Sequence, residues 1–564
     1  MKKLIGLALA ALFCAGALAG CGGGNATNPP AATNPPAATA APATEAPAAT
    51  EAPAATEAPA AVAGEYDGAT NLQVSATPMT VTLFYAFGAN GAPTPDMPIW
   101  KKAAEITNCT INNVANPSIS DATQSMNTML ASGKLPDIIQ GDIPSLRPLI
   151  AQGAFIPLDD LINQYAPNVK RFFSQYPEAI AAGSGSDNKV YYITGTLGGE
   201  PGKSLPSMGW FIRQDWLDKL GLPIPTTFDQ FKQTLYAFRN NDPNGNGQKD
   251  EIPYLYRDKG IHCLLQLFGV PGSWGNVYVD WSDNTVKYSV TQPEYKDALT
   301  ELAQWYKDGV IDPEIFTRGS QARQELFGNN TGGCTMDWFA STGGINTNPD
   351  IKAAVPGLNL VAMLPPANKK GVVEQNYSRA STNGFAWGIS KDCADPVSVI
   401  RFMDFWLSDT GHILFAYGIE GIDYTMVDGK PVLTEEVKNK PESFPVYHRA
   451  EGCYEMGAQQ EISNEVITMN DWSREGFNMY LNGNVLTPPY PVLVYNEAEQ
   501  AVIDANMPNI TTLRDEYQQQ CVMGSQDVAS TWDQYINDMN SMGLQEVLAA
   551  ETSALQRYLA SMKK

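Results

Sequence analysis

The sequence predicts an α/β protein of two lobes, and three observations carry that prediction. Short β-branched and aromatic runs alternate with helical stretches in the first part of the body, as in sheets wound with crossover helices. Longer amphipathic helices follow, interrupted by brief apolar strands. The body is about 500 residues long, enough for more than one hydrophobic core.

The elements read in order. Val81-Thr82-Leu83-Phe84-Tyr85 is a first strand bounded by turn formers. A helix around Ile99–Thr107 leads to a second strand, Thr110–Val114, and a helix over 121–133 leads into Leu135-Pro136-Asp137-Ile138-Ile139. Further on, Thr227–Asn240 opens with a Thr-Phe-Asp cap signal. The stretch Gln292–Asp308 places Tyr295, Ala298, Leu299, Leu302, Trp305 and Tyr306 at helical spacing, and Pro396–Leu407 and Val528–Met542 are similar.

The N-terminus is not part of this body. Met1-Lys2-Lys3 precedes an apolar run to Leu18 and then Leu18-Ala19-Gly20-Cys21. A basic start, a short apolar core and small residues before a cleavage point make a secretory signal over 1–20, too short to span a bilayer comfortably. Leu18–Cys21 resembles a bacterial lipobox, which implies lipidation (palmitate) at Cys21. Residues 22–64 hold no aromatic or basic side chain and repeat Ala-Thr-Glu-Ala-Pro-Ala around Glu45, Glu51 and Glu57. Such a tract cannot build a core, so 21–65 is expected to be a disordered tether on the outer face of a cell membrane.

Composition excludes several functions. The net charge of −23 becomes −25 once Lys2 and Lys3 leave, which argues against nucleic acid. Three scattered histidines, His262, His412 and His448, offer little for a histidine-rich zinc site. Cys109, Cys263, Cys334, Cys393, Cys453 and Cys521 show no CxxC spacing and are expected to be mostly free, buried thiols. No Gly-x-Ser-x-Gly elbow or HExxH motif occurs.

The most specific chemistry lies in Asp242-Pro243-Asn244-Gly245-Asn246-Gly247-Gln248-Lys249-Asp250-Glu251. Oxygen-bearing side chains at positions 1, 3, 5 and 9 with Gly at 6 meet the needs of an EF-hand-type calcium loop. Asp242, Asn244, Asn246 and Asp250 would donate side chains and Gln248 its carbonyl. Position 12 is Pro253, so Glu251 must close the shell. The alternative is an ordinary Asn/Gly turn. A structural Ca2+ is the expectation.

Several segments together resemble the family 1 extracellular solute-binding lipoproteins of bacterial ABC importers, with alginate- and maltose-binding relatives. They are Phe211–Leu222, the Asp242–Pro253 loop, Tyr306–Glu314, Tyr417–Tyr424 and Trp532–Tyr535. The resemblance covers nearly all of 76–564 and also implies Glu251 as a metal ligand. It implies a periplasmic-binding-protein-like fold whose two lobes close about a hinge. Lobe 1 would be 76–205 plus about 384–440, and lobe 2 would be 210–380 with the calcium loop. Residues 441–564 would pack across both, with chain crossings near Leu205–Gly209 and Ala380–Asn383. A monomer working with permease subunits is implied.

Sugar sites pair flat aromatic faces with hydrogen-bonding side chains. Trp216, Trp305, Trp406, Trp532 and Trp100 lie in helical patterns and read as core. Trp338 ends an apolar strand where, by resemblance, maltose-binding relatives carry a stacking tryptophan. Trp274 and Trp472 read as loop residues that could reach a ligand, and Trp210 and Trp387 flank the crossings but could equally be core. Tyr85 and Asp142 sit beyond strand ends, where α/β ligands collect, and Arg379 could meet an acidic sugar. The acidity of the chain favours a neutral oligosaccharide over a uronate. A peptide or other small solute, or an exported glycoside hydrolase with two carboxylates, are the alternatives.

Overall fold

The structure is a computed structural model that describes residues 65–562 apart from 87–91, 117, 119–120, 258, 273–275, 441–443 and 454–455. The signal segment, Cys21, the tether and Trp274 lie outside the described residues.

Two sheets form the frame. The first has five strands in the order Cys109–Asn113, Met79–Phe84, Ile138–Asp142, Thr382–Ile389, Ile193–Thr196. The first three run parallel, joined by helices Pro98–Thr107 and Ala122–Ala131, and Thr382–Ile389 enters antiparallel to both its neighbours. The second sheet has four strands in the order Leu360–Met363, Met208–Arg213, Gly332–Trp338, Ile252–Tyr254. The chain leaves the first sheet after Ile193–Thr196 and builds the second. It returns through Ser378–Arg379, which pairs antiparallel with the outgoing segment Leu205–Pro206.

Both sheets are covered on both faces, and this explains their sequences. Met208–Arg213 reads Met-Gly-Trp-Phe-Ile-Arg with every residue buried. A strand between two layers must be apolar throughout and does not alternate. Trp210 and Ile212 enter one core with helices Phe228–Asn240 and Pro293–Lys307, and Phe211 enters another on the opposite face. Likewise Leu83 and Phe84 of the first sheet belong to separate cores.

The expected helices are present as Pro98–Thr107, Ala122–Ala131, Phe228–Asn240, Pro293–Lys307, Pro396–Phe405 and Val528–Ser541. Thr227 caps its helix through Oγ1, which accepts from Gln230 N–H. Trp100, Trp216, Trp305, Trp387, Trp406 and Trp532 are core residues. Two long helices were not foreseen, Glu497–Val522 and Leu544–Ser561. Pro508 lies inside the first of them and masks its pattern, although Asn496 and Glu499 form a full capping box at its start. With Val528–Ser541 these helices add Ile510, Tyr517, Trp532, Tyr535 and Val547 to the core of the second sheet. The six cysteines 109, 263, 334, 393, 453 and 521 stand as thiols rather than disulfides, and all but the half-buried Cys393 are buried.

Trp305 stacks on Phe228 and touches Phe268 at the centre of that core. Replacing Trp305 with Ala is expected to cost about 3–5 kcal/mol, read as a lower midpoint in chemical denaturation.

Candidate functional site

Every residue of the strand Gly332–Trp338 is buried except the last. Asp337 is fully buried and ion-paired with Arg257 at 2.9 Å and Arg323 at 3.1 Å. An unpaired carboxylate there would be very costly, and two guanidiniums offset that cost. Asp337 Oδ1 also accepts from Trp338 N–H at 2.7 Å. The strand end is thereby held, and the indole of Trp338 is left 39% exposed.

Trp338 borders a cavity of about 590 Å³ walled by both sheets and by later segments. Thr382, Gly384 and Phe385 come from the returning strand of the first sheet and Leu197 follows another. Phe415 and Phe444 supply further aromatic surface, and Arg379, Arg449, Glu461 and Glu465 supply charge. Arg379 Nη1 meets Glu465 Oε2 at 3.2 Å, and its Nε donates to Pro206 carbonyl at the crossing. Two cations and two carboxylates leave the lining without net charge.

His448 stays neutral in this wall. It is buried beside Phe444 at 4.1 Å between rings, and its Nε2 has no hydrogen-bond partner. Burial pushes its pKa down to about 3. A hollow of about 740 Å³ along helix Ala122–Ala131 is lined by Asp121, Thr123, Gln124, Asn127, Thr128 and Ala131. It presents no aromatic face, so the two-sheet cavity is the candidate site.

The predicted ligand residues separate. Trp338 and Arg379 come together in the cavity. Tyr85 does not reach a cleft: it is fully buried, edge-on to Trp100. Trp210 is also core, against Phe231 and Tyr254, because a strand covered on both faces has no outward position. Asp142 caps helix Ile143–Ala151, its oxygens accepting from Ser145 N–H and Oγ–H. Trp472 is not in a loop but starts helix Asp471–Asn482, and its Nε1 donates to Asn359 Oδ1 at 3.2 Å. Phe385, Phe415, Phe444 and the Glu461–Glu465 turn were missed, since single aromatics inside apolar elements carry no outward signal. Arg213 is structural, paired with Asp215 and lying over Trp216.

The acidic loop follows helix Phe228–Asn240. Asp242 takes a left-handed φ of 47° and Gly247 one of 75°, which turns the chain sharply. Asp242 accepts from the N–H groups of Gly245, Asn246 and Gly247, while the Asn244 and Asn246 amides donate to Asp250. Among the described residues no group of three or more His, Cys, Asp or Glu side chains is drawn together as a metal centre. Glu251 is nonetheless anomalous. It is buried, and apart from its own N–H no donor is directed at its carboxylate oxygens. Burial, and then the neighbouring Asp250 and Asp242 charges, raise its pKa. A buried carboxylate with so few donors, beside hard oxygen atoms, fits a divalent cation.

Among the described residues no helix is long and apolar enough to cross a membrane. The chain matches the bacterial extracellular solute-binding protein profile over residues 88–413. The fructooligosaccharide ABC transporter substrate-binding protein FusA of Streptococcus pneumoniae serotype 4 (strain ATCC BAA-334 / TIGR4) is 34% identical over 208 residues. That stretch is 35% of this chain and spans only 38% of the relative's length. Lipoprotein LipO of Bacillus subtilis (strain 168) is 24% identical over 463 residues, 78% of this chain and 85% of LipO. The crystal structure of alginate-binding protein AlgQ2 without calcium ion superposes with a TM-score of 0.72 at 31% identity, covering 86% of this chain and 100% of that one.

The state of His448 has a consequence for acid stability. The unfolded imidazole binds a proton near pH 6.5 and the folded one near 3. Stability therefore falls as pH drops from about 6.5 toward 3, by at most about 1.4 kcal/mol per pH unit. His448→Phe is expected to flatten this part of the profile in urea titrations at successive pH values.

Proposed function

The chain belongs to the bacterial extracellular solute-binding proteins, and from that premise we propose that it captures a neutral oligosaccharide for an ABC importer. It is a binding protein and carries out no chemistry on its cargo. The two-sheet cavity holds the sugar, with Trp338 as a stacking face and Arg379, Glu461 and Glu465 as hydrogen-bonding groups. The paired crossings Leu205–Pro206 and Ser378–Arg379 serve as the hinge. Cys21 carries the lipid that anchors the monomer outside the cell, and permease subunits receive the closed form.

The observation that carries the neutral reading is the balanced charge of the cavity. An anionic sugar needs cations in excess, and here Arg379 and Arg449 are matched by Glu461 and Glu465. AlgQ2 is an alginate-binding protein and FusA a fructooligosaccharide-binding one; this lining favours the uncharged kind. Apolar ring faces of a sugar meet Trp338, Phe385 and Phe444, and the hydroxyl rim meets the charged groups.

Thermal shift against neutral oligosaccharides, uronate oligomers and peptides tests this, since ligand at 100 times its Kd adds about 2.7 kcal/mol. A shift with a neutral series is expected, weakened about tenfold in affinity by Trp338→Ala. No shift with any oligosaccharide refutes the sugar reading, and release of reducing sugar refutes the non-catalytic one.

The Asp242–Glu251 loop holds calcium through Asp242, Asn244, Asn246, Asp250 and Glu251 side chains and the Gln248 carbonyl. The ion would add positive charge beside the buried Glu251, to that of Arg239, and clip the end of helix Phe228–Asn240. Chelation is expected to lower the melting temperature, with Glu251→Gln reducing the difference between calcium-loaded and chelated protein. Because Glu251's folded pKa is raised, protonation relieves the metal-free form as pH falls through that value. The calcium increment should shrink in that direction, and one that grows toward acid pH would contradict the assignment.

A further inference from the structure

A second cavity, of about 410 Å³, opens beside the hairpin Val277–Asp280 and Thr285–Tyr288. Trp281, in the hairpin turn, borders it and is 53% exposed. Tyr278 and Tyr490 add two more aromatic rings to the lining. Tyr490 is rigidly placed, because its hydroxyl donates to the buried Glu551 of helix Leu544–Ser561 at 2.8 Å.

The polar lining is organised too. Asn368 is buried, its Oδ1 accepts from Lys370 and Val372 N–H, and its Nδ2 donates to Glu374 at 2.9 Å. Asn376 Nδ2 donates to the Gly272 carbonyl at 3.2 Å. Lys370, paired with Glu294 at 2.7 Å, and Glu374 are the charged residues of the lining, one of each sign. Flat aromatic surface beside fixed amide and carboxylate groups is the same combination that walls the first cavity.

The two cavities share their walls. The chain from Glu374 to Ala380 borders the second cavity at Glu374 and Asn376 and the first at Arg379 and Ala380. The chain from Thr487 borders the second through Pro491 and the first at Val492. These stretches are tied together. Gln375 N–H donates to Val485 carbonyl, Thr487 N–H to Gln375 carbonyl, and Ser378 Oγ–H to Thr487 carbonyl. Asn376 and Arg379 are three residues apart, so at extended-chain rise they are separated by at most about 10 Å. A short oligosaccharide bridges that span and a monosaccharide does not.

We infer that the two cavities are inner and outer subsites of one extended cleft, with Trp281 as the outer stacking platform. The ligand class is accordingly a neutral oligosaccharide longer than a disaccharide. This rests on the carbohydrate reading above and adds chain length to it. Binding energy of the units beyond the inner cavity comes from Trp281, Tyr278 and Tyr490, and the inner units contact Trp338.

Calorimetric titration of the full-length chain tests this with malto-, fructo-, xylo- and manno-oligosaccharides of two to six units. In the series that binds, affinity is expected to rise beyond the disaccharide and then level off. Trp281→Ala removes that rise, with a loss of about tenfold for the longest sugars and little for the disaccharide, while Trp281→Phe restores most of it. Trp338→Ala weakens every length alike. An unchanged melting curve for Trp281→Ala, whose side chain is half exposed, excludes misfolding as the cause. Affinity that levels off at the disaccharide, or is indifferent to Trp281→Ala, overturns the outer subsite and leaves the sugar reading standing. Absence of binding by every series at every length overturns both.

Discussion

Asp337 is fully buried, and Arg257 and Arg323 reach it at 2.9 and 3.1 Å. Much of the cavity rim depends on this arrangement. Arg323 Nη1 also donates to Ser341 and Thr342 hydroxyls, so one guanidinium joins the end of a central strand to the helix that follows. Trp338 lies between those two anchored points and has little freedom to fold back into the core. A desolvated charge cluster of this kind adds little net stability compared with apolar packing. What it provides is position: a large aromatic held at the rim of a cavity where burial alone would have drawn it inward.

The same logic of anchoring from behind recurs. Tyr480 Oη accepts from Trp210 N–H and donates to the Met363 carbonyl, tying helix Asp471–Asn482 to two strands of the second sheet. Glu551 receives hydroxyls from both Tyr490 and Tyr495, and its pKa is raised by burial. The C-terminal segments are thus not an appendage. They complete the core of the second sheet and carry part of the wall of each cavity.

The fate of the tryptophans shows how far local pattern reaches. Trp216, Trp305, Trp406 and Trp532 recur at helical spacing among apolar neighbours, and each is core. Trp210 stood beside a chain crossing and could be read either way; the second sheet is covered on both sides, so it too is core. Trp472 followed Asn470-Asp471, a turn-like pair that is in fact an N-cap and the first residue of a helix. Asp142 sits at a strand end as expected, but its oxygens hold the next helix. Local sequence placed the strand end at Asp142 and the helical tryptophans, but it took the helix start at Asp471 for a loop. Burial depended on layers contributed by distant parts of the chain.

The sequence by itself determined the fold class and most of the elements, the two long C-terminal helices excepted. Periodicity, caps and turn residues are local properties, and so are the oxygen-bearing side chains at fixed spacing in the Asp242–Glu251 loop. Only the tertiary structure decided that Trp338 and Arg379 share a cavity with Phe385, Phe444 and His448. It also left Glu251 buried with no donor but its own N–H, and set segments 374–380 and 487–492 side by side along two cavities. The physical reason is that a cleft is made of residues far apart in sequence, brought together by which faces of two sheets remain to be covered. No local pattern encodes that pairing.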